Sequence, residues 1–295
     1  MKRFDLHIHS TCSDGTLSPY AIIEKAKREG LSTIAITDHE TIIAFKTFAQ
    51  FAKECDLEVI PGIEINVGNY AGYHFLGYGI QDFTQIENFI KNLKAVNEYA
   101  CLRTLELLKE KFNISISQEE LIKTYSKDGL IDKKMIAKEL IKRGYAKNTK
   151  EAYDVFIGRN APAYSPIKKV TDEEIIYLIH RCGGICVWAH PQQAKYSIDG
   201  KECDFDEAKC AEVAKRLTKL GLDGIEVYNH TTKEQEVYLK RIAQENNLVI
   251  TGGSDFHTMD CGHELGCERF TKFELERLKA KIAERHQIYR KGNEK

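Results

Sequence analysis

Two short motifs place residues of metal-ligand type two positions apart. His7 and His9 end one apolar segment, and Asp255 and His257 follow another. Residues i and i+2 of a strand point to the same face, so the two side chains of each motif can hold one ion. Either motif alone is a weak signal. The repetition of the pattern in one chain favours a metal site.

More residues of this type follow other apolar segments. They are Asp14, His39, Glu64, His74 and His190. The carboxyl ends of parallel strands share one edge, where α/β proteins build their sites. The whole set is too large for one ion, and its imidazole and carboxylate groups suit zinc, manganese or iron better than calcium or magnesium. Since a carboxylate such as Glu64 can bridge two ions, the residues predict a multinuclear metal hydrolase.

Short apolar runs predict the strands that position these residues. These runs are 4–8, 33–37, 57–65, 73–78, 185–189, 224–227 and 248–251. Helical segments alternate with the first strands, which favours a parallel sheet or barrel. Residues 82–170 have helical periodicity instead. We therefore predict a barrel from residues 1–81 and 171–295, a helical insertion or cap at 82–170, and a polar tail at 285–295 that frays.

The motifs resemble the PHP (polymerase and histidinol phosphatase) family of phosphoesterases. The matching motifs are His7-x-His9-Ser10, Asp14-Gly15, Ile36-Thr37-Asp38-His39, Pro61-Gly62-Ile63-Glu64, Ala189-His190-Pro191 and Gly253-Ser254-Asp255-x-His257. The resemblance implies a distorted (β/α)7 barrel that holds two or three divalent ions, with manganese expected and iron or zinc as alternatives. It also implies hydrolysis of phosphate esters by a metal-activated hydroxide.

The same resemblance implies a set of ligands for each ion. One ion would take His7, His9, Glu64 and Asp255, a second Glu64, His74 and His190, and a third Asp14, His39 and His257. Asp14, His39 and His190 would also have catalytic roles. Asp38 is expected to support the site rather than to bind an ion.

One branch of the family is similar in having Asp at the position of Asp14 and a helical insertion. That branch includes phosphatases of 3′,5′-bisphosphate nucleotides and AMP, and 5′-to-3′ exoribonucleases that trim short RNA. Such proteins usually have Gly-Arg-Pro-His where this chain has Asp132-Lys133-Lys134-Met135. A lysine lacks the bidentate fork of arginine, so Lys133 could meet a phosphate only as a point charge. Arg159 and His230 are the other predicted substrate contacts.

Composition limits the partners of the chain. The 295 residues include 43 Lys and Arg and 44 Asp and Glu, for a formal net charge of −1. This balance predicts a small phosphorylated substrate, a nucleotide or a short RNA end, rather than long duplex DNA. The nine cysteines form no C-x-x-C pair, which predicts reduced thiols in the cytoplasm. Neither a signal peptide nor a membrane-spanning segment is expected.

Three other functions are compatible with parts of the sequence. A histidinol-phosphatase-like enzyme fits the metal motifs equally well, although the insertion argues against it. A metal-dependent amidohydrolase would normally have a bridging lysine or its substitute, where this chain offers Glu64. A non-catalytic metal-stabilised binding module would be expected to have lost some of its ligands.

Overall fold

The structure, a computed structural model, describes most of the chain. The described residues are 3–67, 73–126, 129–168, 170–194, 196–198, 201–203, 206–258, 264–267 and 269–293. The chain divides into two compact units. The first unit comprises Met1–Glu87 with Val170–Lys295, and the second comprises Asn88–Lys169.

Strands occur in the first unit and build a mixed α/β fold. Their bounds are β1 Arg3–Ile8, β2 Leu31–Ile36, β3 Glu58–Val59, β4 Gly62–Asn66, β5 His74–Tyr78, β6 Ile185–Trp188, β7 Tyr196–Ile198, β8 Lys201–Cys203, β9 Gly224–Tyr228 and β10 Val249–Gly252. One sheet has the order β1-β2-β3 and another the order β10-β9-β6-β5-β4, while β7 and β8 pair with each other. Isolated parallel bridges join Ile8 to Phe256 and His39 to Glu64. These bridges link the two larger sheets at two places.

The expectation of a purely parallel sheet is wrong at β5. This strand pairs antiparallel with both β4 and β6, whereas the other pairs in the two larger sheets are parallel. Only residues 67–73 separate β4 from β5. A parallel crossover needs a dozen or more residues, so the chain can return only in the opposite direction.

The predicted strand at 57–65 is also two strands in the structure. Glu58–Val59 pairs with β2, and Gly62–Asn66 pairs with β5. Pro61 lies between them and has no N–H to give to a ladder, which ends the first strand. The break assigns one apolar run to two different sheets.

The helices cover both units. Their bounds are α1 Pro19–Arg28, α2 Ile43–Glu54, α3 Phe83–Phe112, α4 Gln118–Tyr125, α5 Lys133–Lys142, α6 Thr149–Glu151, α7 Asp172–Arg181, α8 Glu207–Lys219, α9 Lys233–Glu245 and α10 Lys272–Asn293. Ser18 caps α1 by accepting the Ala21 N–H at 3.2 Å, as the Ser18-Pro19 pair predicts. None of the described helices is long and apolar enough to cross a membrane.

The expected fraying of the tail is wrong for residues 285–293, which form the last turns of α10. Arg285 donates to Asp223 Oδ1 at 3.2 Å, and His286 bonds the carbonyl oxygen of Gly79 at 2.7 Å. Ile282 is buried just before them. These tertiary contacts stabilise a segment whose composition is polar. Residues 294 and 295 of the predicted tail lie outside the described residues.

The core of the first unit lies around its sheets. All four residues of β6 are buried, including Trp188, as expected for a strand covered on both faces. A second part of the core joins Ile8 and Ile34 to Ile22 of α1. This packing fixes the strands whose ends carry the predicted ligands.

The second unit consists, in its described part, of helices and loops. Its core includes Leu108, Ile136 and Leu140. Asp132 caps α5 by accepting the Met135 N–H at 2.7 Å, and Gly144 beyond the helix has a φ of +77°, as suits a helix terminator. After α6, residues Ala152–Ile157 form a π-helix.

Candidate metal centre

The predicted ligands of the first unit meet at one edge of the sheets. His7 lies on β1 and His9 just beyond it, while His39 follows β2 and His190 follows β6. His74 is the first residue of β5 and stands opposite Asn66, near the carboxyl end of β4. Because β5 runs antiparallel, its amino end rather than its carboxyl end reaches the shared edge. The strand reversal therefore brings His74 to the site.

Glu64 is the centre of this arrangement and is 1 % exposed. Its two carboxylate oxygens face different imidazoles. Around Oε2 lie His7 Nε2 at 3.4 Å, His9 Nε2 at 3.1 Å and His39 Nδ1 at 3.2 Å. Around Oε1 lie His74 Nδ1 at 2.8 Å and His190 Nε2 at 3.1 Å. A carboxylate in this position can serve two ions at once.

Asp255 and Asp14 extend the centre on either side of His9. Asp255 Oδ1 is 3.4 Å from His7 Nε2 and 3.3 Å from His9 Nε2. Asp14 Oδ1 lies 3.6 Å from His9 Nδ1 and 3.5 Å from His257 Nε2. Asp14 is 47 % exposed, so this end of the centre opens to solvent.

The donor atoms form four overlapping groups among the described residues, and within each group they lie within 4.8 Å of one another. The groups are His9, Asp14, His39 and His257; His7, Glu64 and His190; His7, His9 and Asp255; and His39, Glu64 and His74. The expected ligands Asp14, His39 and His257 fall in one group, which also contains His9. His74 and His190 each contact Glu64 Oε1 but fall in different groups, so the division of ligands between ions stays a prediction.

Buried imidazole nitrogens without partners show that this donor set fits metal ions. His7 Nε2, both ring nitrogens of His9, His39 Nδ1 and His190 Nδ1 are buried and have no hydrogen-bond partner among the described residues. A buried polar atom left unpaired costs about 1–3 kcal/mol, and most such atoms in proteins are satisfied. A concentration of them around carboxylates is explained by divalent ions, which imidazole nitrogen and carboxylate oxygen bind together.

The carboxylates also control protonation at the centre. Burial lowers the pKa of His7, but Glu226, Asp255 and Glu64 outweigh it and hold that pKa well above its usual value. Burial opposes protonation of His9 too, while the neighbouring carboxylates of Asp255 and Glu64 raise its pKa to about 9. In contrast, burial lowers the pKa of His39 to about 3. Protons thus occupy some ligand nitrogens when no ion is bound.

Three residues of this region have positive φ angles. His190, His230 and Asp255 have φ angles of +25°, +50° and +51°. Residues other than glycine rarely adopt such φ angles, and backbone strain of this kind clusters at functional sites. Gly253 shows a close approach as well, since an added Cβ would lie 2.3 Å from His7 Cβ.

Asp38 supports the site as predicted and does not belong to any of the four groups of donor atoms. Its carboxylate accepts the Ser10 N–H at 2.7 Å and the Ser10 and Ser13 hydroxyls at 2.6 Å each. These bonds fix the loop between His9 and Asp14. Asp38 therefore acts on the position of its neighbours.

Sequence reasoning missed two buried carboxylates, Asp5 and Glu226. Asp5 accepts the Ser254 N–H at 2.9 Å and the Ser254 hydroxyl at 2.6 Å, which holds the segment before Asp255. Glu226 lies 3.0 Å from His7 Nδ1 through Oε1. Each stands within an apolar strand, and a carboxylate inside such a strand was the signal that could have identified them.

The predicted substrate contacts have different surroundings. His230 Nε2 bonds the carbonyl oxygen of Ser254 at 2.6 Å, beside the metal centre. Lys133, in the second unit, is buried and donates to the carbonyl oxygens of Ser165 at 2.6 Å and Ile157 at 3.3 Å. Arg159 is exposed and makes no hydrogen bond or ion pair to any described residue.

The chain is similar to known proteins over most of its length. A family model described as "PHP domain" matches residues 5–220. A 5′-3′ exoribonuclease of Haemophilus influenzae is 30% identical over 269 residues, which cover 90% of this chain and 93% of that protein. A 3′,5′-nucleoside bisphosphate phosphatase of Chromobacterium violaceum is 24% identical over 276 residues, covering 89% and 92%.

A solved structure is similar over almost the whole chain. It is described as an amidohydrolase from Chromobacterium violaceum with bound sulfate. The TM-score is 0.73 at 21% identity, and the match covers 94% of this chain and 96% of the other. This likeness concerns the fold alone.

Proposed function

The chain belongs to the PHP family and is a metal-dependent phosphoesterase, and we propose that it acts on phosphate monoesters of nucleotides or on the 5′ end of short RNA. The nucleotide substrates are 3′,5′-bisphosphates and AMP. The observation that carries the proposal is the cluster of unpaired imidazole nitrogens around Glu64. The choice of nucleotide and RNA substrates follows the named activities of the relatives.

We assign the ions to the donor groups around Glu64. The ligands are His7, His9, Asp14, His39, Glu64, His74, His190, Asp255 and His257. Two or three ions fit this number of donors, and manganese suits their mixture of imidazole and carboxylate. The isolated bridges Ile8–Phe256 and His39–Glu64 support a distorted (β/α)7 barrel for residues 1–81 and 171–295, with 82–170 as the helical cap.

Divalent ions, when bound, supply Lewis acidity toward a phosphoryl oxygen and lower the pKa of a water. The protein keeps the donors close through the two oxygens of Glu64. Asp14 and His257 are 47 % and 33 % exposed, whereas His7 and His190 are buried. We propose that the phosphate enters from the exposed side of the centre, where Asp14 lies, and that Asp14 has a catalytic role there. We also assign catalytic roles to His39 and His190, whose rings contact the two different oxygens of Glu64.

Substrate recognition uses side chains outside the metal centre. His230 lies against Ser254, next to Asp255, and we assign it a contact with the substrate. The guanidinium of Arg159 is exposed and suits a second phosphate through a bidentate contact. The predicted contact of Lys133 with phosphate would require its ammonium to leave two carbonyl oxygens.

A cytoplasmic location fits the state of the cysteines. In the described part of the chain, the free thiols are Cys12, Cys55, Cys101, Cys182, Cys186, Cys210 and Cys267. Reduced thiols persist in the cytoplasm, where disulfides are rare. The same environment contains the nucleotides and short RNAs that we propose as substrates.

A substrate panel tests the proposal. Manganese-loaded protein is offered a 3′,5′-bisphosphate nucleotide, AMP, histidinol phosphate and a 5′-phosphorylated short RNA, and released phosphate and mononucleotide are measured. His9→Ala should abolish turnover. His286→Ala is the matched control. His286 lies on α10, where its imidazole bonds the carbonyl oxygen of Gly79, and the variant should retain turnover.

The outcomes separate the remaining functions. Preference for the nucleotides or the RNA supports the proposal. Preference for histidinol phosphate would replace it with a histidinol-phosphatase-like function. Bound metal without turnover of any substrate would favour a metal-stabilised binding module.

A further inference from the structure

Glu226 is a fully buried carboxylate that touches the metal centre from behind. It lies in the middle of β9, with 0 % exposure. Its Oε1 is 3.0 Å and its Oε2 3.2 Å from His7 Nδ1. This nitrogen is on the side of the imidazole ring opposite Nε2, the atom that faces Glu64 and Asp255.

The same carboxylate holds a second ligand segment. Glu226 Oε2 accepts the backbone N–H of His190 at 2.9 Å and the side-chain amide of Asn229 at 2.9 Å. His190 is the residue with the φ of +25°. One buried side chain thus connects the ring of His7 with the strained backbone at His190.

We propose that Glu226 is a positioning residue, which fixes His7 with its proton on Nδ1 and turns the Nε2 lone pair toward the ions. The inference rests on the proposed assignment of His7 as a metal ligand. It does not depend on which phosphate ester the protein hydrolyses. Glu226 is in none of the ligand groups found among the described residues, and its two oxygens contact His7, His190 and Asn229.

The chemistry of the carboxylate explains why glutamate is needed here. Both oxygens of an ionised carboxylate only accept hydrogen bonds. All three partners that contact Glu226 can donate, provided that His7 carries hydrogen on Nδ1. A carboxamide would direct one N–H group at a donor. If this N–H group faced His190 or Asn229, the hydrogen bond to that residue would be lost. If it faced His7, it would favour the tautomer with the proton on Nε2, which cannot bind metal through that atom.

The variant Glu226→Gln tests this role because it keeps the shape of the side chain. Its affinity for Zn²⁺ should fall about 10- to 100-fold, the range seen when a partner of a metal-bound histidine is removed. The visible absorption of the Co²⁺-loaded protein should also change, since it reports the geometry of the ligands. Unfolding of the metal-free protein is measured in parallel to separate loss of fold from loss of affinity.

Glu139→Gln is the matched control. Glu139 is also buried, at 1 % exposure, but it bonds Arg143 and Tyr125 within the second unit. This variant should lower stability without altering Zn²⁺ affinity or the Co²⁺ spectrum. Equal affinities and spectra for Glu226→Gln and the parent would overturn the inference.

A measurement on the unaltered protein covers the case in which Glu226→Gln does not fold. In the ¹⁵N spectrum of the Zn²⁺-loaded protein, the His7 ring is assigned with the variant His7→Gln. A proton on Nδ1 and metal on Nε2 is the expected result, and the reverse tautomer would refute it. If the parent and His9→Ala bind equal amounts of zinc, the proposed ligand set fails instead, which distinguishes the two failures.

Discussion

Metal binding by this protein should strengthen steeply as the pH rises from about 7 to about 9. A rise in pH removes the protons that the metal-free centre holds. His9 has a pKa of about 9, and only the neutral ring can bind an ion. At pH 7 about 1 % of His9 is neutral by this value, which lowers the apparent affinity about 100-fold relative to pH above 9.

His7 adds to this effect because its pKa is also raised. The logarithm of the affinity should therefore rise by more than one unit for each pH unit over this range. Calorimetric titration of the metal-free protein with Mn²⁺, in two buffers of different ionisation enthalpy, counts the protons released. More than one proton per protein is expected at pH 7. An affinity that is constant or falls between pH 7 and 9 would contradict this prediction.

The raised pKa of His9 also predicts how the stability of the metal-free protein depends on pH. Because the pKa of His9 is higher in the folded state than in the unfolded state, its protonation stabilises the fold. This stabilisation is fully present below pH 6.5, the pKa in the unfolded state, and is lost as the pH rises through about 9. Metal-loaded protein should not show this loss, because bound ions replace the protons. Thermal unfolding between pH 6 and 9, with and without Mn²⁺, measures the difference.

Three substitutions give further predictions. Gly253→Ala should displace His7, since the new Cβ would lie 2.3 Å from its Cβ; metal titration should show weaker binding, and unchanged affinity would contradict the geometry. Lys133→Met leaves the Ser165 carbonyl oxygen without its buried donor and should cost about 1–3 kcal/mol in denaturant unfolding. Leu140→Ala opens a cavity in the core of the second unit and should cost about 2–5 kcal/mol. An exposed-site control, Val155→Ala, should change stability little, and equal losses at Leu140 and Val155 would argue against the packing described.

Much of the chemistry of the centre follows from local features of the chain. The i, i+2 motifs and the ligand residues beyond the apolar runs are local features, because strand geometry decides which side chains share a face. They led to Glu64 as the shared carboxylate, and the structure brings the predicted ligands to one edge. Burial of short apolar runs is also a local property, so most of the strands could be predicted.

The way in which these elements meet depends on tertiary contacts. The direction of β5, which brings His74 to the edge, depends on its pairing with β4 and β6. The roles of Glu226 and Asp5 depend on partners that are distant in the chain, and the polar end of α10 is ordered by Asp223 and Gly79. Local patterns specify which faces must be buried, whereas the partner of a buried charge is set by contacts between remote segments.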